Sequence, residues 1–492
     1  MILTSEYNFT KRTPSWLSFF FVANLMLFDI GLNATEVNSR KYCESYTLLW
    51  QMRLQEVKTD ISGPEGEHLK AMKLFLEIFA RENEDFYNEK LGEYNEHLSN
   101  FKSADGIFAA YAAAELYILR ATLRAKFNQN VKAAFDFWQG YRRAKKNIAN
   151  NPDYLPNIMM WGIMESGLGS LPAQLQTYLG YVGFSGDLDV GLSMLETALH
   201  QSKAKEWSHM RPLMGLSYVS SKVQLGNDQE LTLQKIGIDP QLSPFMVGIE
   251  AKIHFDRSDA RKAYDLLDNR KVHPKETPYP YIHYLQGRIG ITLEEDKGAA
   301  MLELYLRTTE GNQFVKSSHR YLWWHYFLKG NNDKAEFHRK KISASGSTLT
   351  GPDQMAAYEA DQPLNSHLLR ARLLFDRGDF GKCLSHIASK KADEVCVDNA
   401  EKGEYFYRMG RCLQNMNKRN AAIKRYIQSL EYYGSEETFE RSNALLQLGF
   451  LYEQDGNCAT AKTYFEKVLS FKNYPFNEGQ HQKAKAAIKR CK

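Results

Sequence analysis

Proline and cysteine are scarce in this chain, whose 492 residues include 14 prolines and six cysteines. Because a proline inside a helix removes a hydrogen bond and clashes with the preceding turn, its scarcity leaves room for many unbroken helices. The cysteines form no C-x-x-C pair, and no two of them sit close to a pair of histidines at zinc-ligand spacing, so we predict no metal site and no cofactor. Five of the six lie in the last 110 residues, namely Cys383, Cys396, Cys412, Cys458 and Cys491. Two interpretations stay open for them, one or two disulfides in an oxidising compartment or small buried side chains between helices.

Neither sign of charge dominates, since 63 Lys and Arg residues face 58 Asp and Glu residues and leave a formal charge of +5. The densest basic clusters lie at residues 142–146 and 339–341, where a helix is expected to show its solvated face. No RNA-binding signature accompanies either cluster, so we predict no nucleic-acid partner.

Long apolar runs are also missing. Near the amino terminus, the uncharged stretch from Trp16 to Phe28 has 13 residues, whereas a membrane span needs about 20. Lys11 and Arg12 precede it and Ala34 follows it, which is the order of a secretory signal peptide. We therefore predict a signal peptide at residues 1–34 and a mature chain that is exported to the periplasm or associated with the outer membrane. We expect no stable transmembrane segment in the mature chain, and peripheral envelope association stays open.

Aromatic residues are plentiful, with 27 Phe, 28 Tyr and 7 Trp. Beyond residue 60, apolar residues recur three and four positions apart, and short turns contain Asn, Asp and Gly. This pattern predicts an all-α protein.

Two copies of one pattern stand near the carboxyl terminus, over residues 403–436 and 442–475. The first copy has Phe406, Met409, Gly410, Leu413, Ala422 and Tyr426, and the second has Leu445, Leu448, Gly449, Tyr452, Ala461 and Phe465. This spacing is that of the 34-residue tetratricopeptide unit, in which small residues let two helices pack closely. Weaker copies are marked upstream by Ala371 with Cys383, Gly330 with Ala335, Gly287 with Ala299, Ala251 with Ala263, and Ala121 with Ala133. We predict a tetratricopeptide-like helical-hairpin solenoid, an α-α superhelix.

The chain is expected to divide into an N-terminal helical region with degenerate repeats at residues 35–245 and a C-terminal repeat array at residues 246–492. Inside the first region, residues 155–192 carry three charges and seven glycines. We expect a buried helix pair there, the alternatives being a lipid-touching hairpin or a ligand-facing element. An aromatic group around Trp323 and Trp324 is expected to be core, or else a binding face.

The glycine-rich segment also carries a resemblance to a known family. Its residues Ser170, Leu171, Pro172, Gly183, Phe184, Gly186, Asp187, Gly191 and Leu192 match the signature of the fungal inclusion body clearance proteins and their animal tetratricopeptide relatives. The segment 112–127 and the array after residue 360 are also similar to that family. The resemblance implies an all-helical repeat protein without an established catalytic centre. One Leu of the family's Ser-Leu-Leu-Pro run is absent here.

Tetratricopeptide arrays bind partners mainly through the inner face of the first helix of each unit. Counting in the frame of the two clear copies places seven residues on that face: Tyr407, Arg411, Gln414, Asn443, Leu446, Phe450 and Glu453. We predict that they bind a protein partner, which makes the chain a non-enzymatic scaffold.

Two other functions are weighed against the scaffold. One is a glycan- or peptide-binding helical protein at the outer membrane. The other is an enzyme resembling lytic transglycosylases, with Glu165 as the acid before Ser166. The Gly-Leu-Met-Gln run expected after such a Glu is absent, and the chain has no P-loop, H-E-x-x-H or G-x-S-x-G motif. We therefore predict no catalytic residues and expect Glu165 to cap or pair within the solenoid.

Overall fold

The computed structural model describes residues 36–101, 105–171, 173–181, 183–226, 228–472, 474 and 476–491. The predicted signal peptide at residues 1–34 lies outside the described residues. Within those ranges the chain forms 24 α-helices and four short 3-10 helices, and no strand. None of the helices described is both long and apolar enough to span a bilayer.

The α-helices are α1 (Glu36–Trp50), α2 (Pro64–Arg81), α3 (Glu84–Asn100), α4 (Ile107–Lys126), α5 (Asn130–Asn150), α6 (Leu155–Gly169), α7 (Ala173–Tyr181), α8 (Leu188–Gln201), α9 (Arg211–Gln224), α10 (Pro244–Asp256), α11 (Ala260–Asp268), α12 (Tyr281–Thr292), α13 (Asp296–Thr308), α14 (Val315–Leu328), α15 (Asn332–Ala344), α16 (Gly351–Glu359), α17 (Ser366–Asp376), α18 (Phe380–Ala388), α19 (Ala392–Val395), α20 (Asn399–Asn415), α21 (Arg419–Tyr433), α22 (Phe439–Gln454), α23 (Cys458–Ser470) and α24 (Asn477–Arg490).

Seven pairs of consecutive helices pack on one another, each joined by a turn of three residues. They are α4/α5, α10/α11, α12/α13, α14/α15, α17/α18, α20/α21 and α22/α23. In every one of these turns the middle residue has a positive φ: Asn128, Ser258, Glu294, Gly330, Gly378, Asn417 and Gly456. One turn geometry therefore recurs along the chain, as expected for a repeat protein. The predicted all-α, tetratricopeptide-like helical-hairpin solenoid is confirmed.

The small residues of the repeat pattern lie where the two helices of a pair come closest. A Cβ at Gly410 would come within 2.7 Å of the Tyr426 ring, and one at Gly449 within 2.3 Å of the Phe465 ring. Each ring therefore covers the glycine of its own pair. Tyr426 also shares a core with Leu448 of the next pair, so it fills the gap between units as well.

The apolar core is largest in the N-terminal half, where one cluster joins buried residues from Tyr42 to Ile253. Five smaller clusters follow along the repeat array, each between neighbouring helices. Separate small cores along the array are expected where each helix pair buries its apolar faces against the next pair.

In the glycine-rich segment, α6 is buried as the sequence predicts and packs on α8, whose first five residues belong to the segment, whereas α7 between them ends at the exposed Tyr181. The two backbones cross closely, since a Cβ at Gly191 would lie 2.2 Å from the amide nitrogen of Ser166 and 2.6 Å from the Gly162 carbonyl oxygen. Glu165 accepts a 2.7 Å hydrogen bond from the Asp187 amide, and Asp187 in turn caps α8 at Val190. Glu165 thus pairs within the solenoid, as expected.

A buried polar chain links three helices of the N-terminal core. The Tyr42 hydroxyl lies 2.8 Å from Nδ1 of His68, and Nε2 of His68 lies 2.6 Å from the Glu115 carboxylate. All three residues have no solvent exposure. Burial lowers the pKa of His68 to about 3, so its ring is neutral at pH 7 and bridges the hydroxyl to the carboxylate.

Cys458 and Cys491 are joined by a disulfide, which ties the end of α24 to the start of α23. Cys43, Cys383, Cys396 and Cys412 are free, and the last three are buried between helices. Both sequence interpretations of the late cysteines therefore hold, each for a different subset.

We expect the mature protein, unfolded without a reductant, to react with an alkylating reagent at four thiols, and at six after reduction. Peptide mass mapping should then find the Cys458 and Cys491 peptides linked. Six reactive thiols before reduction would contradict the assignment.

Candidate functional site

The first helices of successive pairs form a continuous inner layer. Contacts connect α10 to α12, α12 to α14, α14 to α17, α17 to α20, α20 to α22 and α22 to α24. This arrangement places the same position of each first helix side by side along one face, which is the surface that solenoid proteins offer to partners.

One position of that layer carries a repeating set of side chains. It directly follows the small residue of the first helix, which itself stands 12 residues before the small residue of the second helix. The residues at this position are Arg288 in α12, Trp324 in α14, Arg372 in α17, Arg411 in α20 and Phe450 in α22. We call these five residues the inner row.

Three arginines of the inner row reach back to an aromatic ring on the first helix of the preceding pair. The guanidinium-to-ring contacts are Arg288 over Phe255 at 4.9 Å, Arg372 over Trp324 at 4.6 Å and Arg411 over Phe375 at 4.8 Å. A guanidinium over a ring face is held in a defined place by the quadrupole of the ring. The stacks therefore fix the arginines along the inner layer.

The centre of the row is neutralised by Glu359 of α16. Its carboxylate accepts a 3.0 Å hydrogen bond from Arg372 and a 3.4 Å one from Arg320. Burial raises the pKa of Glu359, but the two guanidiniums lower it below its usual range, so the group is ionised at pH 7. Arg372 also lies 4.0 Å from the Asp376 carboxylate, so two carboxylates face these two guanidiniums.

Arg288 and Arg411 have only phenol partners. The Nε of Arg288 donates to the Tyr321 hydroxyl at 3.1 Å, and Nη1 of Arg411 donates to the Tyr407 hydroxyl at 3.0 Å. Phenols are neutral at pH 7. Within the described residues no carboxylate lies at ion-pair distance from either guanidinium, and Nε of Arg411 is buried without an acceptor.

The arginines around Tyr321 lower the pKa of its phenol. Burial alone would raise the pKa of this phenol, but the guanidiniums of Arg288, Arg320 and Arg372 lower it below its ordinary value. At this phenol the nearby guanidiniums thus have more effect than the nearby carboxylate of Asp376.

Helix α24 completes the inner layer at its carboxyl end. Arg490 of α24 makes two hydrogen bonds, of 2.7 and 3.0 Å, to Glu453 of α22 and holds the helix there. Lys483 of α24 is exposed to solvent and has no ion pair among the described residues. The pKa of its ammonium is lowered, first by surrounding protein and then by the charge of Arg411. The charge of Arg411 therefore acts on Lys483, and neither side chain has a carboxylate at ion-pair distance among the described residues.

Three aromatic rings connect α16, α22 and the residue before α24. The Tyr358 ring at the end of α16 lies 6.0 Å from the Phe476 ring before α24, and Phe476 lies 6.0 Å from Phe439 at the start of α22. Three helix pairs separate α16 from α24 in the chain, so these ring contacts join parts of the array that are far apart in sequence.

Three of the seven residues that the sequence predicts belong to this site. Arg411 and Phe450 are members of the inner row, and Tyr407 holds the Arg411 guanidinium. Asn443 is half-buried on α22.

The other three have structural roles. Leu446 is 2% exposed and lies in the core between α22 and α24, so its assignment to a contact surface is wrong. Gln414 accepts a hydrogen bond from the Tyr426 hydroxyl, and Glu453 is taken by Arg490. Leu446 was misplaced because the neighbouring helix α24 covers it.

Sequence reasoning missed Arg288 and Arg372, whereas Trp324 stood in the aromatic group expected to be core or else a binding face, and at 1% exposure it is core. The frame of the two clear copies contains the signal that would have found the two arginines, because each follows the small-residue position of a weaker copy. In α14 the small position holds Trp323, which hides the register.

The described residues contain no cluster of His, Cys, Asp or Glu that could hold a metal ion. The arrangement offers charge, stacking and hydrogen-bond donors along one face, which suits binding.

No family model matches the chain, and no curated protein matches it significantly. Among solved structures, a monomeric mutant of IFIT1 with m7Gppp-AAAA is 12% identical, with 91% of this chain and 98% of that chain covered, and has a TM-score of 0.29. The Cut9–Hcn1 hetero-tetramer of the APC/C is 13% identical, with 96% of this chain and 99% of that chain covered, and has a TM-score of 0.24. At these TM-scores neither similarity bears on what this chain binds. The resemblance to the inclusion body clearance proteins stays a prediction.

Proposed function

We propose that the chain is an exported, non-enzymatic scaffold that holds a segment of a protein partner along the inner face of its helical solenoid. The observation that carries the proposal is the inner row, in which one position of five successive first helices holds an arginine or an aromatic residue, with Trp324 buried beneath the Arg372 guanidinium. Stacked arginines and buried aromatic residues are the residue types that dominate binding energy at protein interfaces.

The partner segment that we propose is acidic. Arg288, Arg411 and Lys483 have no carboxylate at ion-pair distance among the described residues, whereas the charges of Arg320 and Arg372 are shared with Glu359. Arg411 makes a single side-chain hydrogen bond, although a guanidinium has five N–H donors. Carboxylates from a partner would supply the missing acceptors, since guanidinium and carboxylate make strong charge-assisted hydrogen bonds.

Export is supported by the disulfide. Bonds of the type joining Cys458 and Cys491 persist in oxidising compartments and are rare in reducing ones. If the signal peptide is removed after Ala34, N-terminal sequencing of the mature protein should begin at Thr35.

The other two functions are less well supported. A glycan site needs open aromatic faces, but Trp324 is 1% exposed and lies beneath two guanidiniums. An enzyme acting through Glu165 needs a carboxyl that reaches a substrate, and that carboxylate is taken by the Asp187 amide. Burial raises the pKa of Glu165. A catalytic acid needs a raised pKa, but any carboxyl between two packed segments has one too, so this shift does not favour the enzyme. We also propose distant kinship with the inclusion body clearance proteins, because the signature residues Gly186, Asp187 and Gly191 lie where α8 and the turn before it meet α6.

We expect a photo-crosslinking residue at Phe450 of the full chain to capture one protein from envelope extract. The matched control is Ile427, which is 39% exposed on α21, outside the inner layer. Arg411→Gln together with Lys483→Gln should reduce the Phe450 adduct roughly tenfold, because a charged hydrogen bond contributes about 1.5–3 kcal/mol. Equal capture from both positions, or an adduct insensitive to the two substitutions, would show that the inner face is not the binding surface.

A further inference from the structure

Helix α5 presents a second surface, on the opposite half of the chain from the inner row. Its inward side is fixed by packing on α4, where a Cβ at Gly140 would come 2.4 Å from the Ile118 side chain. Asp136, the only acidic residue of α5, is fully buried there and pairs with Arg120 and Arg124, each at 2.7 Å. The negative charge of the helix is therefore turned inward and neutralised.

The outward side of α5 begins with apolar residues. Val131 is 87% exposed and Phe135 is 56% exposed, and the Phe135 ring lies 5.9 Å from the partly exposed ring of Trp138. Positions 131, 135, 138 and 142 follow the spacing of one helix face.

The same side of α5 continues with basic residues. Arg142 lies over the Trp138 ring at 4.7 Å, and Arg142, Lys145 and Lys146 are all exposed. In the part of the chain that the structure describes, none of the three has a carboxylate at ion-pair distance. The solvated helix surface that the sequence predicts at residues 142–146 is thus an uncompensated positive face next to an apolar one.

This combination fits a lipid surface with negative headgroups. A helix that lies in the membrane interface places Trp, Phe and aliphatic side chains at the acyl boundary and Lys or Arg at the phosphates. A protein partner would need an apolar pocket for Val131 and Phe135. It would also need an acidic surface beside that pocket for the basic residues that follow on α5. A charged bilayer supplies both the apolar layer and the charge along the whole length of the helix.

We propose that α5 docks this protein on an anionic membrane surface, with Val131, Phe135 and Trp138 in the interface and Arg142, Lys145 and Lys146 on the lipid phosphates. The docking uses residues of α5 and none of the inner row, so we expect it to leave partner binding unchanged.

The test is co-sedimentation of the full mature chain with vesicles. Vesicles of phosphatidylcholine containing phosphatidylglycerol should bind the protein at least about tenfold more tightly than pure phosphatidylcholine, and added salt should weaken the binding. Val131→Ser with Phe135→Ser should weaken it roughly tenfold. Arg142→Gln with Lys145→Gln and Lys146→Gln should remove the preference for the anionic lipid.

The matched control is Lys424→Gln with Ile427→Ser on α21, where both side chains are exposed. This variant should sediment like the wild type. All the substituted side chains are exposed and Trp138 is left intact, so we expect the variants to fold, which circular dichroism checks. Equal binding to both vesicle types, or unchanged binding of the α5 variants, would overturn the proposal. Loss of a protein partner by the basic α5 variant, with vesicle binding unchanged, would assign the face to an acidic protein instead.

Discussion

Replacing Gly191 with alanine should lower the free energy of unfolding by about 3 kcal/mol. The added Cβ would meet backbone rather than side chain, lying 2.2 Å from the Ser166 nitrogen and 2.6 Å from the Gly162 oxygen. A flexible side chain could turn away from such a contact, but a helix backbone can relieve it only if α6 and α8 separate. Chemical denaturation measures the loss, and hydrogen exchange should show that the amides of α6 and α8 lose protection first.

The matched control is Gly92→Ala in the middle of α3. No atom lies within 4 Å of a Cβ built there, and the position is exposed. Alanine is a better helix former than glycine, so this variant should gain about 0.5–1 kcal/mol. If both alanine variants shift stability by the same small amount, the close backbone crossing of α6 and α8 is not a stabilising contact.

Replacing His68 with alanine should cost about 4 kcal/mol. The substitution removes a hydrogen-bond partner from the Tyr42 hydroxyl and from the Glu115 carboxylate, both of which stay buried. It also leaves a cavity where the imidazole packed between Tyr42 and Phe108. Denaturation followed by tryptophan fluorescence measures the effect.

The control for this prediction is His97→Ala. His97 also bonds a carboxylate, that of Glu67 at 2.9 Å, but its side chain is 16% exposed and water can replace the lost bond. We expect this variant to lose less than about 1 kcal/mol. Similar losses for the two variants would mean that burial of the polar chain does not decide its contribution.

The same histidine predicts a pH dependence. The folded pKa of about 3 lies below the ordinary value of 6.5, so unfolding releases a ring that takes up a proton anywhere between those values. The contribution of His68 to stability is therefore complete above pH 6.5 and is lost as the pH falls towards 3. His68→Ala should flatten this part of the stability profile.

The hairpins could be predicted because their signals are local. A small residue in one helix and another 12 positions later in the next mark a pair even where the copy is degenerate, as with Ala371 and Cys383. The Sγ of Cys383 lies 3.1 Å from the Ala371 carbonyl oxygen, so these two positions do meet at the crossing. Helix pairing depends on residues close in sequence, and the periodicity reports them directly.

The candidate site could be predicted only in part. Arg411 and Phe450 come from clear copies, whereas Arg288 and Arg372 stand in weaker ones where the frame is harder to count. Which predicted residues stay accessible depends on the neighbouring helix, and α24 buries Leu446. The sequence also does not show that Arg411 lacks a carboxylate partner, because the helices that pack around Arg411 decide which acidic side chains come near it.

The amino-acid sequence alone establishes that this protein is an all-helical array of hairpins with a tightly packed glycine-rich segment. Helical periodicity and the spacing of small residues are local signals, so they can be read over short stretches of chain. Contacts between distant segments required the folded chain: His68 meets Glu115 across 47 positions, and the Phe476 ring reaches Tyr358 from α24. The orientation of α5 belongs with these, because packing against Arg120 and Arg124 turns Asp136 inward and leaves its basic side in solvent. The positive and negative charges of the sequence are nearly equal in number, but folding separates them. On α5 the acidic residue is buried and paired, and the basic residues stay in solvent.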